Sequence, residues 1–130
     1  MIKLLYIAIG GATGALSRYG VGQVARRLGV EFPWGTLCVN LAGSFLIGLV
    51  AGSQMKVSGS ERMQLLTALA VTGFLGAFTT FSAFSLESVS LIRREQFGLA
   101  AANVLANCAG GLLLAFVGLW ASKYLVGVLK

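Results

Sequence analysis

The chain has 130 residues, of which 57% are hydrophobic and 11% charged, with ten Lys or Arg, four Glu and no His. Soluble domains carry about 25% charged residues, so a chain this small and this apolar cannot cover a soluble surface. Its apolar content excludes disorder, its two Cys exclude a disulfide scaffold, and the lack of His excludes histidine catalysis and His-ligated metals. An all-α integral membrane protein remains. The net charge of +6 fits a membrane surface better than nucleic acid, because the basic residues cluster at the ends of apolar runs.

Four helices are predicted in one membrane domain covering 1–130, with no soluble domain, linker or clear internal repeat. A bilayer core of about 30 Å needs roughly 20 apolar residues in a helix. The first helix, 3–25, is uncharged from Leu4 to Ser17 and reaches full length only through Arg18. A secretory leader is the competing reading of this segment, given Lys3, the apolar stretch and the small residues Ala12, Gly14 and Ala15. Gly10, Gly11 and Gly14 interrupt that stretch, and Arg18 follows without a polar mature region, so a span is the better fit.

The second helix, 33–54, lies in the uncharged run from Phe32 to Met55, with Pro33 suited to its first turn. Thr36, Asn40, Ser44, Gly48 and Gly52 are spaced by four and form one small-residue ridge, which lets helix backbones approach closely in lipid. The third helix, 62–92, has a start signal in Ser60 followed by Met63 and Gln64. The fourth, 97–124, carries Asn103 and Asn107 four residues apart, followed by Gly110 and Gly111. An amide in hydrocarbon is costly unless partnered, so Asn40, Asn103 and Asn107 either join helices or line a polar path. Cys38 and Cys108 lie deep in spans without His or carboxylate partners and read as inert packing residues.

The third segment is the most informative. From Arg62 to Arg93 it is too long for one straight span at about 1.5 Å per residue. Within it, Gly73 and Gly76 precede Thr79-Thr80, and hydroxyls at Thr79, Thr80, Ser82 and Ser85 compete for backbone hydrogen bonds. A helix broken in mid-membrane accounts for both features; an unbroken helix with Ser/Thr back-bonding is the alternative. At a break, freed carbonyls can coordinate a hard monovalent cation and freed amides can meet an anion. Phe74, Phe78, Phe81 and Phe84 fit packing or lipid contact, or ring edges that receive an anion weakly.

With four spans, one side holds Lys3, Lys56, Arg62, Lys123 and Lys130, and the other holds Arg26, Arg27, Arg93 and Arg94, with Arg18 if it snorkels there. The basic residues therefore fail to choose a side. That balance predicts dual topology, with the chain inserting both ways and pairing as an antiparallel homodimer; a single orientation set by other cues is the alternative.

These residues resemble the Fluc-type fluoride channels, also called CrcB proteins. The likeness runs through Gly10-Gly11-Ala12-Thr13-Gly14-Ala15 with Arg18-Tyr19, Gly35-Thr36-Leu37-Cys38-Val39-Asn40 on to Gly43-Ser44-Phe45, and Gly73-Phe74-Leu75-Gly76 with Thr79-Thr80-Phe81-Ser82-Ala83-Phe84. The resemblance implies a dual-topology homodimer of four-helix subunits in the bacterial inner membrane, with two antiparallel fluoride pathways and a central structural Na+. It implies that Gly76 and Thr79 of both subunits offer four backbone carbonyls to that Na+. By the same match, Asn40 is the pore amide, Phe81 and Phe84 line the pore, Thr80 and Ser82 lie in a polar track, and Arg18 stands near the pore entrance. Asn103 and Asn107 fall at plausible positions for the polar face of the fourth helix. Residue 83 is Ala where the family often has Thr, which removes one hydroxyl but no carbonyl. The expected partners are fluoride, a second copy of the chain and the lipid bilayer, with no nucleic acid and no enzymatic activity.

Two other readings compete. A proton-coupled exporter of the small multidrug resistance type shares four short spans and dual topology, but needs a titratable group within the membrane. Glu31, Glu61 and Glu95 sit at span ends, and Glu87, about six residues inside Arg93, is the one exception. A non-transporting assembly protein would use the Gly ridges and asparagines only to bind partners.

Overall fold

The computed structural model describes residues 1–54 and 60–128. Lys56 and Lys130, which enter the balance of basic residues, lie outside the described residues. The described residues are helical, joined by short turns: α1 (Ile2–Arg26), α2 (Trp34–Gln54), α3 (Glu61–Thr67), α4 (Gly76–Phe78), α5 (Phe81–Arg93), α6 (Phe97–Leu105) and α7 (Gly111–Val128). A π-helical stretch, Ala68–Leu75, joins α3 to α4, and another, Ala106–Gly110, joins α6 to α7.

Three of the resulting rods are long and apolar enough to cross a membrane: Trp34–Ser53, Glu61–Arg93 and Phe97–Tyr124. They are called here the second, third and fourth spans. α1 has 25 residues, more than enough by length, but it carries Lys3, Arg18 and Arg26. Large apolar side chains such as Leu4, Leu16, Leu86, Leu112 and Phe116 stand exposed. Such a surface suits lipid rather than water. Cys38 and Cys108 are also exposed on the isolated chain, so neither packs the subunit interior.

Local chemistry sets the helix ends. Pro33 precedes α2 rather than opening it, and its carbonyl accepts the Leu37 N–H at 3.1 Å. Ser60 caps α3, its hydroxyl accepting from the Met63 N–H at 3.3 Å, with Glu61 in the first turn where the helix dipole favours a negative charge. Gly29, with φ of +63°, ends the turn after α1 in a left-handed conformation that glycine adopts without a Cβ penalty.

Glycines decide how the rods pair. α1 lies against the π-helical stretch of the third span: a Cβ at Gly10 would fall on the Leu69 carbonyl oxygen, and one at Gly14 on that of Phe74. α2 lies as closely against α7. There a Cβ at Gly48 would meet the Ala115 carbonyl oxygen, one at Gly52 the Ser122 hydroxyl, and one at Gly118 the Phe45 carbonyl oxygen. The small-residue ridge of α2 thus changes partner along its length. Thr36 faces the third span, Asn40 meets both the third and the fourth, and Ser44, Gly48 and Gly52 face the fourth.

A side chain at these contacts forces the backbones apart. Gly48→Val is expected to cost about 1–3 kcal/mol, the usual cost of overpacking. Gly20 has open space around its missing Cβ, and Gly20→Ala is expected to be neutral or stabilising by up to about 1 kcal/mol. Thermal unfolding of both variants in detergent checks this, and equal midpoints would show that the α2–α7 contact is not tight.

Candidate functional site

The third span breaks at Thr79 and Thr80. α4 ends at Phe78, and α5 starts afresh at Phe81. Between them, Thr79 (φ −82°, ψ 157°) and Thr80 (φ −152°, ψ 115°) are extended, the conformation that β-branched side chains favour. Their hydroxyls finish the two helix ends. The Thr79 hydroxyl donates to the Leu75 carbonyl at 3.0 Å, and the Thr80 hydroxyl accepts from the Ala83 N–H at 3.2 Å as the N-cap of α5. The glycines nearby are not the break. Gly76 keeps helical angles (φ −61°, ψ −34°), and Gly73 is spent on packing against α1.

Asn40 of α2 meets the break. Its Oδ1 accepts the Thr80 N–H at 2.8 Å, and its Nδ2 donates to the Thr80 carbonyl at 3.1 Å. The second Nδ2 hydrogen goes to Asn107 Oδ1 at 2.9 Å. Asn107 Nδ2 donates in turn to the Asn103 side-chain and backbone oxygens, at 2.9 and 3.0 Å. Asn103 Nδ2 donates to Ser88 Oγ at 2.9 Å, and Ser88 donates to the Phe84 carbonyl at 2.8 Å. One chain of amides and hydroxyls therefore links α2, the fourth span and α5, and satisfies polar groups that would otherwise be costly in an apolar setting.

The break also redirects backbone donors. In an unbroken helix the Thr80 N–H would serve the Gly76 carbonyl, and the Ala83 N–H the Thr79 carbonyl. Here the first goes to Asn40 and the second to the Thr80 hydroxyl. The carbonyls of Gly76 and Thr79 thus lose their customary partners, and both residues line an open groove of about 620 Å³. Asn40, Thr80, Phe81, Phe84 and Asn107 share its walls. Neutral carbonyl oxygens suit a hard monovalent cation such as Na+. Among the described residues no cluster of His, Cys, Asp or Glu could hold a transition metal.

A second cavity of about 610 Å³ opens between α1, α2 and α5. Arg18, Arg26, Glu31, Thr36, Glu87 and Arg94 line it, and it too reaches Thr80. Arg18 is half-buried on its wall. The Thr36 hydroxyl donates to Glu87 Oε1 at 2.7 Å, while Glu87 Oε2 is buried without a partner among the described residues. The facing of Thr36 and Glu87 across two spans was not legible in the sequence. Two polar residues well inside apolar runs were the available signal.

The residues picked out in the sequence divide accordingly. Gly76, Thr79, Asn40, Thr80, Phe81, Phe84 and Asn107 meet at one groove, and Arg18 stands at the other cavity. Ser82 is exposed beside the break, its hydroxyl 3.2 Å from that of Thr80. Asn103 is fully buried and lines neither cavity, so it joins helices. Phe81 is 78% exposed while Phe84 is buried, their rings tilted at 57° with centroids 5.5 Å apart. Phe74 and Phe78 stack on each other instead and line neither cavity.

Comparison with known proteins places the chain in a family. A family model described as CrcB-like protein, Camphor Resistance (CrcB), matches residues 5–119. The fluoride-specific ion channel FluC of Chelativorans sp. (strain BNC1) is 48% identical over 125 residues, 95% of this chain and 98% of that protein. The protein of the same name from Agrobacterium fabrum is 47% identical over 121 residues, 92% of this chain and 94% of its own. That of Salinibacter ruber is 43% identical over 128 residues, 98% and 94% of the two chains. The matched stretch contains the break, the asparagine chain and both cavities, and the chain belongs to the CrcB-like protein family.

Proposed function

We propose that this chain is a fluoride-selective channel that lets fluoride leave the cytoplasm passively, and that it works as an antiparallel homodimer in the bacterial inner membrane. The observation that carries the reading is the helix break walled by Asn40, Asn107, Phe81 and Phe84, in a chain whose relatives are named fluoride-specific ion channels. α1 serves as the first span in this arrangement, with Arg18 on the wall of the second cavity.

Fluoride is small and strongly hydrated, so a passage must replace its water with donors. Arg18 draws the anion into the cavity that ends at Thr80. The hydroxyls of Thr80 and Ser82 and the ring edges of Phe81 and Phe84 then receive it. Both Nδ2 hydrogens of Asn40 are engaged, so an anion reaching this amide takes the place of Asn107 Oδ1 as acceptor. Such an exchange gains little free energy, and weak, multiple sites are what conduction needs. The carbonyls of Gly76 and Thr79, paired with those of a second subunit, suit a structural Na+, which would supply a fixed positive charge at the two-fold axis. The balance of basic residues between the two sides supports the dual topology.

One observation favours the proton-coupled reading. Glu87 lies within the third span with its carboxylate on a cavity wall. Liposomes carrying the purified protein separate the two. The channel reading expects rapid fluoride efflux, retained chloride and no proton movement by an internal pH dye; efflux that moves protons stoichiometrically would overturn it.

Asn40→Asp tests the site. A carboxylate still accepts the Thr80 N–H, but it cannot donate to the Thr80 carbonyl or to Asn107, and it repels the anion. Loss of the amide's charge-assisted hydrogen bond to the anion, about 1.5–3 kcal/mol, corresponds to a fluoride flux reduced at least about tenfold. Fluoride flux equal to the unmodified protein would remove Asn40 from the pathway.

A further inference from the structure

We infer that α2 acts as the template for the helix break, with Asn40 and Gly43 positioning the Gly76 and Thr79 carbonyls from within the same subunit. The inference rests on the Na+ reading above and assigns to α2 the control of that site.

Thr80 has the angles of a β-strand residue, whose N–H and C=O point to the same side. A primary carboxamide offers one acceptor and two donors in a plane, so it can meet both groups at once. Asn40 does this, pairing with Thr80 as a neighbouring strand would, at 2.8 and 3.1 Å. The remaining Nδ2 hydrogen goes to Asn107 Oδ1. Oδ1 and one Nδ2 hydrogen of the Asn40 amide are thus committed to the break.

Gly43 stands three residues further along the same helix and meets the other broken residue. A Cβ there would fall on the Thr79 Cγ2 methyl, so Thr79 can seat only against a bare backbone. Asn40 and Gly43 together make a socket for Thr79-Thr80. Without it, the Thr80 N–H has its ordinary helical acceptor one turn back, the Gly76 carbonyl. Satisfying that bond would draw the helix together and withdraw an oxygen from the cation. The structure therefore divides the two amides of the groove wall: Asn40 shapes the break, whereas Asn107 does not touch Thr79 or Thr80 by a hydrogen bond of its own.

The test reads Na+ binding rather than flux. The purified protein in detergent is unfolded thermally across a Na+ series, with K+ replacing Na+ at constant ionic strength. A ligand that binds only the folded state raises the midpoint with its concentration. The unmodified protein should show a Na+-specific rise. In Asn40→Ala the Na+ needed for half the rise should increase about tenfold or more, or the rise should vanish, as loss of both part-buried bonds to Thr80 implies. Gly43→Ala, which removes no hydrogen-bonding group, should shift in the same direction and carries the test if Asn40→Ala does not purify folded. Asn107→Ala should stay within about twofold of the unmodified protein, because both bonds to Thr80 survive. Equal Na+ dependence in all four proteins, or equal shifts in Asn40→Ala and Asn107→Ala, would overturn the positioning role alone. A protein with no Na+-specific rise at all would overturn the Na+ reading and this inference with it.

Discussion

Everything in this subunit depends on how two residues of extended backbone are kept satisfied inside an apolar rod. In hydrocarbon an unpaired N–H or C=O costs several kcal/mol, so a helix breaks only where other groups take over its backbone bonds. Thr79 and Thr80 supply two of those groups themselves through their hydroxyls. Asn40 takes the Thr80 N–H and carbonyl from a neighbouring helix, which leaves the Gly76 and Thr79 carbonyls without helical partners. The remainder of the fold brings Asn40 to the right place and holds it there.

Glycine packing does that work. Where Gly48 and Gly52 let α2 lie directly on the backbone of α7, the helix axis is fixed without long side chains. Gly10 and Gly14 fix the π-helical part of the third span against α1 in the same way. With both rods held close, Asn40 faces Thr80 on one flank and Asn107 on the other. Lipid offers no hydrophobic drive for such contacts, so close backbone approach and shared hydrogen bonds carry them.

Much of this was legible in the sequence, and for local reasons. The Ser60 cap and the Thr79-Thr80 break arise from side chains competing with adjacent backbone, which neighbouring residues encode directly. The four-residue spacing from Thr36 to Gly52 likewise defines one helix face whatever that face meets. What could not be read is long in range or set by packing. The Asn40–Thr80 pairing joins residues 40 apart, and the amide chain turns Asn103 into a buried strut rather than a wall of the groove. The π-helical stretches Ala68–Leu75 and Ala106–Gly110 leave no mark in composition. Cys38 and Cys108 show why burial itself was hard to judge. When the solvent is as apolar as the core, an apolar residue carries no signal of which side it faces.

The break has an electrical consequence. A helix ends in partial negative charge at its C-terminus and begins in partial positive charge at its N-terminus. At Thr79-Thr80 the C-terminal end of the Glu61–Phe78 segment and the N-terminal end of the 13-residue α5 stand two residues apart. One short junction therefore presents a cation-seeking pole and an anion-seeking pole side by side, with no ionised side chain among the residues that make it. The field there reverses sign within a turn of backbone, and it comes from peptide dipoles rather than from any full charge.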